Sequence, residues 1–172
     1  KYEGLEILYG GELYYSSDIL EKLEHGQVPK MNNTRFALIE FSMTTPWKEI
    51  HTALSNVIML GNTPVVAHIE RYNALEFNEE RVKELINMGC YTQINSSHVL
   101  KPKLFGDKYR QFKKRARYFL EKNLVHCVAS DMHNLGPRPP FMDEAREIVT
   151  KDFGPNRAYA LFEGNPQTLL EN

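Results

Sequence analysis

Residues 36–40 read FALIE and residues 65–68 read VVAH, two apolar runs that each end in a side chain of metal-ligand type. Short runs of this composition are the mark of strands buried on both faces of a sheet. Working outward, three more runs share the design: ILYGGE ending at Glu12, YTQIN ending at Asn95, and VHCVASDMH carrying Asp131 and His133. Glu12, Glu40 and His68 fall at equal intervals of 28 residues, and Asn95 follows 27 residues later. That interval suits one strand, one helix and two loops. A (β/α) barrel delivers side chains to its top face from the carboxyl ends of successive strands in this way. The pattern implies a metal-dependent hydrolase.

The intervening segments fit the same plan. Strands are expected over 5–12, 35–41, 64–69, 91–95 and 125–130. Ser17-Asp18 looks like the cap of a short helix ending near His25-Gly26. TPWKEIHTALSNVIMLG carries apolar residues at helical spacing, with a proline in its first turn and Gly61 at its end. Further helices are expected over 78–88, 104–122 and 141–152, and the tail from 157 reads as two short helical pieces broken at Gly164-Asn165-Pro166. With no linker or low-complexity segment, residues 1–172 form one domain. A parallel sheet covered by helices follows. Both a doubly wound sheet and a barrel satisfy it, but ligand-type residues at nearly every strand, and no glycine-rich phosphate loop, favour the barrel. Five strands cannot close a barrel, so about two βα units are expected to be missing from the amino end. The strand edge at 5–12 is then expected to be paired by another segment or partner chain, or poorly ordered.

Composition narrows the function. A net charge of −1 argues against nucleic acid as the main partner. No apolar run approaches the ~18 residues of a membrane span. Cys90 and Cys127 sit in apolar contexts without metal-type spacing, as buried reduced thiols of a cytoplasmic protein do. Cysteine-based phosphatase chemistry needs an arginine six residues beyond the thiolate. Those positions hold Ser96 and His133, so that chemistry is excluded.

Asp131-Met132-His133 is the sharpest local motif, because positions i and i+2 of an extended segment point to one side. A carboxylate with an imidazole suits Mn²⁺, Fe²⁺ or Zn²⁺ better than Ca²⁺. Glu40 and His68 lie in runs that should be buried, where an unpaired charge is costly and a metal is the usual partner. Glu12 joins them, with a less sharply defined strand end. Asn95 reads as a substrate-contacting or supporting group, or as a turn residue. Arg71 in HIERY and Arg138 in HNLGPRPP lie just beyond the ligands, placed to clamp an anion in bidentate fashion. The basic helix from Lys108 to Arg117 reads as a solvated outer helix, and His25, His51, His98 and His126 as structural or surface groups.

YGGELYYSSDIL, FALIEFS, PVVAHIERY, INSSH and ASDMHNLGPRPP together resemble the CpsB/CapC family of bacterial manganese-dependent tyrosine-protein phosphatases, within the polymerase-and-histidinol-phosphatase (PHP) superfamily. The resemblance runs over essentially the whole chain. It implies a distorted TIM-like (β/α)₇ barrel with up to three Mn²⁺ ions, ligands Glu12, Glu40, His68, Asp131 and His133, and phosphate-binding Arg71 and Arg138. It also implies a substrate, the phosphotyrosine tail of a membrane-associated tyrosine autokinase, and a role in capsular or exopolysaccharide synthesis. The family's opening HxH motif is not in this sequence, in line with the missing units inferred above. Two alternatives stand beside it: another PHP-type phosphoesterase of the histidinol-phosphatase kind, and a non-catalytic barrel without a complete metal cluster.

Overall fold

The computed structural model describes residue 4 and residues 6–136 and 139–171. Five strands, β1 (Glu12–Tyr14), β2 (Phe36–Glu40), β3 (Thr63–Val66), β4 (Tyr91–Asn95) and β5 (Cys127–Ala129), form one sheet. All neighbours are parallel, and the order across the sheet is the order in sequence. A doubly wound sheet reverses its order at a switch point. This one does not, and because all its strands are parallel their carboxyl ends share one rim.

Among the described residues eight α-helices connect and flank the strands: α1 (Ile19–Glu24), α2 (Trp47–Met59), α3 (Glu79–Asn87), α4 (Ser96–Val99), α5 (Arg110–Glu121), α6 (Met142–Phe153), α7 (Pro155–Tyr159) and α8 (Asn165–Thr168). Strand alternation divides the core in two. Leu13, Ala37, Ile39, Val66, Ile94 and Val128 face the helices and join the main apolar cluster. On the other face Phe36, Val65 and Cys127 make a small second cluster. Its lid is Leu169, just past α8, whose carbonyl accepts from Thr34 Oγ1 at 3.3 Å.

That second face positions the site. Phe36, Leu38 and Glu40 alternate onto it, and the register pairs Glu12 with Leu38, so Glu12 projects to the same side. Gln93 and Asn95 pair with Cys127 and Ala129 and follow the same rule.

Several expectations are corrected. The first strand lies at 12–14 rather than 5–12, and Glu12 opens it rather than ending it. The cause is Gly10-Gly11. A Cβ at Gly11 would lie 2.4 Å from Pro29 Cγ, so the backbone there runs hard against the 29–32 loop, where Asn32 N–H donates to the Tyr9 carbonyl at 2.8 Å. Residues 6–11 form no strand, and Ile7 and Tyr9 are exposed. The helix expected over 104–122 starts only at Arg110, because Gly106 (φ +68°) and the Asp107 carboxylate shape a loop before it. The break expected at 164–166 is a π-helical turn, Ala160–Gly164, that carries α7 into α8. The basic helix is not wholly solvated: Lys113 and Arg115 are buried.

Candidate metal centre

His68 lies two residues past β3, in the left-handed region (φ +30°) that a β-carbon disfavours. Its N–H donates to Gln93 Oε1 at 2.6 Å, which holds this bend from the next strand. The ring is 2% exposed. Nε2 stands 3.1 Å from Glu12 Oε1 and 3.2 Å from Glu40 Oε1, yet among the described residues neither ring nitrogen makes a hydrogen bond. A ligand atom from each of Glu12, Glu40 and His68 lies within 4.8 Å of the others. Two carboxylates and a buried imidazole nitrogen that makes no hydrogen bond are a donor set that a divalent transition metal fits.

Asp131 is joined to this group indirectly. Its Oδ2 accepts from Asn95 Nδ2 at 2.8 Å and lies 3.6 Å from Arg71 Nη1, which is in turn 4.0 Å from Glu40 Oε1. Gln93 Nε2 donates to Asn95 Oδ1 at 3.0 Å. One buried glutamine thus ties the His68 backbone, Asn95 and Asp131 into a single line. His133 stands apart: its side chain is 56% exposed, and Nδ1 lies 3.0 Å from the Asp131 carbonyl oxygen and 3.6 Å from Asp131 Oδ1. Side chains at i and i+2 share one side only in an extended segment. Asp131 has φ +45°, so the i, i+2 rule does not apply there. Arg71 sits half-buried in a 3₁₀ turn, Ile69–Arg71. Arg138 lies outside the described residues.

Two groups passed over in the sequence support the rim. Glu70 is fully buried, and its Oε1 accepts from Asn95 N–H at 2.9 Å and contacts His98 Nδ1 at 2.7 Å. Arg115 donates to the Glu70 and Arg71 carbonyls at 3.3 and 3.4 Å and pairs with Glu76 at 3.0 Å, fixing the 3₁₀ turn that presents Arg71. The signal for Gln93 was there to read: it lies two residues before Asn95 in a strand and shares its face. Nothing local marked Glu70 or Arg115.

Beside the cluster opens a cleft of about 530 Å³ bordered by Arg71, Asn95, His98, Tyr109, Phe112 and Asp131. Its polar end is the Arg71–Asp131 pair. The opposing wall is aromatic, with His98 5.4 Å from Tyr109 and 5.3 Å from Phe112 between ring centroids. The site therefore offers cations, carboxylates and an apolar wall within one recess. Cys90 and Cys127 are free and buried, and burial pushes both thiols up to about 12, far from a nucleophilic thiolate.

Residues 1–171 match the family described as "Capsular polysaccharide synthesis, CpsB/CapC". The tyrosine-protein phosphatase CpsB of Streptococcus agalactiae is 72% identical over 172 residues, covering 100% of this chain and 71% of that protein. The CpsB of Streptococcus pneumoniae is 61% identical over 168 residues, 98% of this chain and 69% of the relative. A solved chain from the crystal structures of "YwqE from Bacillus subtilis and CpsB from Streptococcus pneumoniae, unique metal-dependent tyrosine phosphatases" superposes with a TM-score of 0.80. It is 30% identical, over 96% of this chain and 65% of that one. The chain thus spans roughly two thirds to seven tenths of the length of these relatives. No helix among the described residues is long and apolar enough to cross a membrane.

Proposed function

Because the chain belongs to the CpsB/CapC family of capsular polysaccharide synthesis, we propose that it is a metal-dependent protein-tyrosine phosphatase. The observation that carries this reading is the buried Nε2 of His68, without a hydrogen bond between the carboxylates of Glu12 and Glu40. Relatives named tyrosine-protein phosphatase, and a solved relative described as metal-dependent, support the substrate class and the cofactor. In finer detail, the metal is Mn²⁺, with up to three ions. Glu12, Glu40 and His68 hold the first, and Asp131 and His133 contribute to the rest. The five strands are part of a distorted (β/α)₇ barrel, whose other strands lie in the part of the relatives that this chain does not span. The substrate is the phosphotyrosine tail of a membrane-associated tyrosine autokinase, met in the cytoplasm, and dephosphorylation there regulates capsule synthesis.

Bound divalent ions supply Lewis-acid polarisation of the phosphoryl group and activation of water. The chain's own groups do the rest. Arg71 binds and orients phosphate oxygens and offsets charge that builds on them, since guanidinium matches phosphate in a bidentate way. Arg138 has the same role by its place in the sequence. Asn95 holds Asp131 in position while bordering the cleft, and the Tyr109–Phe112 wall receives the phenyl ring of the substrate. No cysteine takes part.

The test is turnover of a phosphotyrosine peptide and of histidinol phosphate, measured on this chain and on a form extended to the relatives' length. Chelation should abolish peptide hydrolysis and Mn²⁺ restore it. Activity surviving exhaustive chelation, or a preference for histidinol phosphate, overturns the reading.

A further inference from the structure

The rim of the cleft continues into a loop, residues 101–110, of which the proposed chemistry uses only Tyr109. Asp107 organises it. Its Oδ2 accepts from Lys103 N–H at 2.9 Å and pairs with Lys113 Nζ at 2.9 Å, and its Oδ1 accepts from Tyr109 N–H at 3.0 Å. Arg110 Nη2 adds bonds of 3.2 Å to the carbonyls of Lys103 and Leu104. A loop tied at so many points is a built feature. What it presents is Leu104, 84% exposed, and Phe105, 90% exposed, at its tip. Large apolar side chains held so far into water mark interaction surfaces.

Charge specifies the occupant. Asp107 is the only acidic residue between positions 101 and 117, and it is matched by Lys113. Among the described residues Lys103, Lys108 and Arg110 have no ion-pair partner, although the whole chain carries a net charge of −1. Gly106, Asp107 and Lys108 border both the cleft and the shallow depression that holds Leu104, Phe105 and Arg110. The apolar tip, the unpaired cations and the cleft are therefore one continuous surface.

We propose that this loop docks the polypeptide that flanks the phosphotyrosine: an apolar or aromatic residue packs on Leu104 and Phe105, and anionic side chains lie against Lys103, Lys108 and Arg110. The anion is either a carboxylate or a second tyrosine phosphate. The proposal rests on the phosphatase reading and deepens it, moving substrate selection from the pocket to its rim. The loop's contacts are the same in the bound substrate and in the transition state, and uniform binding of this kind lowers KM and leaves kcat alone.

The experiment compares the unaltered protein with a Leu104→Ser/Phe105→Ser variant on four substrates. They are p-nitrophenyl phosphate, a phosphotyrosine peptide flanked by Gly and Ser, one flanked by Phe and Glu, and one flanked by Phe and a second phosphotyrosine. On p-nitrophenyl phosphate the variant keeps kcat and KM. On at least one anionic peptide its KM rises on the order of tenfold while kcat stays within about twofold, as truncating an apolar anchor does. For the unaltered protein, the same peptide loses more affinity than the Gly/Ser peptide as salt rises from about 50 to about 300 mM, because exposed charges are screened more than those of the cleft. A gain confined to the doubly phosphorylated peptide identifies the anion as phosphate, and a gain in both admits carboxylates. Equal KM values for variant and unaltered protein on both anionic peptides overturn the proposal. So does loss of p-nitrophenyl phosphate turnover in the variant, which would place the loop in the catalytic site. Binding to phosphatidylserine vesicles that the variant loses, with peptide kinetics unchanged, would assign the loop to a lipid surface instead. If neither this chain nor the form extended to the relatives' length hydrolyses any of the four with Mn²⁺, the phosphatase reading fails rather than the docking.

Discussion

The backbone N–H of His68 donates to the side chain of Gln93 at 2.6 Å, so the buried member of the candidate Glu12, Glu40 and His68 group is held by a residue outside that group. The left-handed turn at His68 costs on the order of 1 kcal/mol relative to ordinary backbone, and this bond offsets it. Since Gln93 Nε2 also donates to Asn95 Oδ1, one side chain orients both sides of the recess. Gln93→Leu should weaken Mn²⁺ binding by about tenfold to a hundredfold, the usual effect of losing a group that orients a ligand. Gln93→Glu keeps the acceptor for His68 and loses the donor to Asn95, so it should fall between. Titration calorimetry on the folded variants gives the answer, and an unchanged affinity in Gln93→Leu would contradict this role.

Much of this arrangement was legible in the sequence, and the exceptions have causes. The strands at 36–40 and 91–95 match because each is a short run ended by a polar residue, and Gly61 (φ +78°) closes the helix before β3 as expected. The first strand was misplaced because ILYGGE has the composition of a strand. Only the close approach of Gly11 to Pro29, a contact distant in sequence, excludes it. Grouping Glu12, Glu40 and His68 needed no more than equal spacing. Geometry was not legible for Asp131, where a positive φ turns the chain away from the extended form that its pattern suggested. Buried Arg115 escaped for a different reason: helical charge pattern does not reveal which cation reaches three carbonyl and carboxylate oxygens inside.

Metal should stabilise the fold. Glu12 and Glu40 are like charges held around one imidazole, and a divalent cation that binds only the folded state adds about 2.7 kcal/mol at a hundred times its Kd. For a chain of this size that is a Tm rise of roughly 5–10 °C. Differential scanning calorimetry with and without Mn²⁺ should record it, and His68→Ala should abolish it. A Mn²⁺ response of undiminished size in His68→Ala would remove His68 from the ligands.

Glu70 is predicted to matter for stability before it matters for activity. Its buried carboxylate serves Asn95 N–H and His98 Nδ1 together. Glu70→Ala leaves both donors unmatched in an apolar setting and should cost about 3 kcal/mol in urea unfolding. The amide of Glu70→Gln can still accept one of these bonds, so its cost should be about 1 kcal/mol. Equal stability of the alanine variant and the unaltered protein would show that the pair is not coupled to folding.

The thiols give a pH prediction with a definite sign. Burial pushes Cys90 and Cys127 up to about 12, from an ordinary value near 9. The folded state therefore keeps its protons over a range where the unfolded chain gives them up. By linkage, stability from these two groups is fully present below about pH 9 and is lost as pH rises from there towards 12. The urea midpoint should fall across that alkaline window, and Cys90→Ala/Cys127→Ala should flatten the fall. At neutral pH neither group is a thiolate, so iodoacetamide should spare both in the folded protein, leave phosphatase activity intact, and modify both once urea unfolds the chain. Rapid alkylation of the native protein with loss of activity would mean that a cysteine is exposed and takes part in the chemistry, against the burial of both.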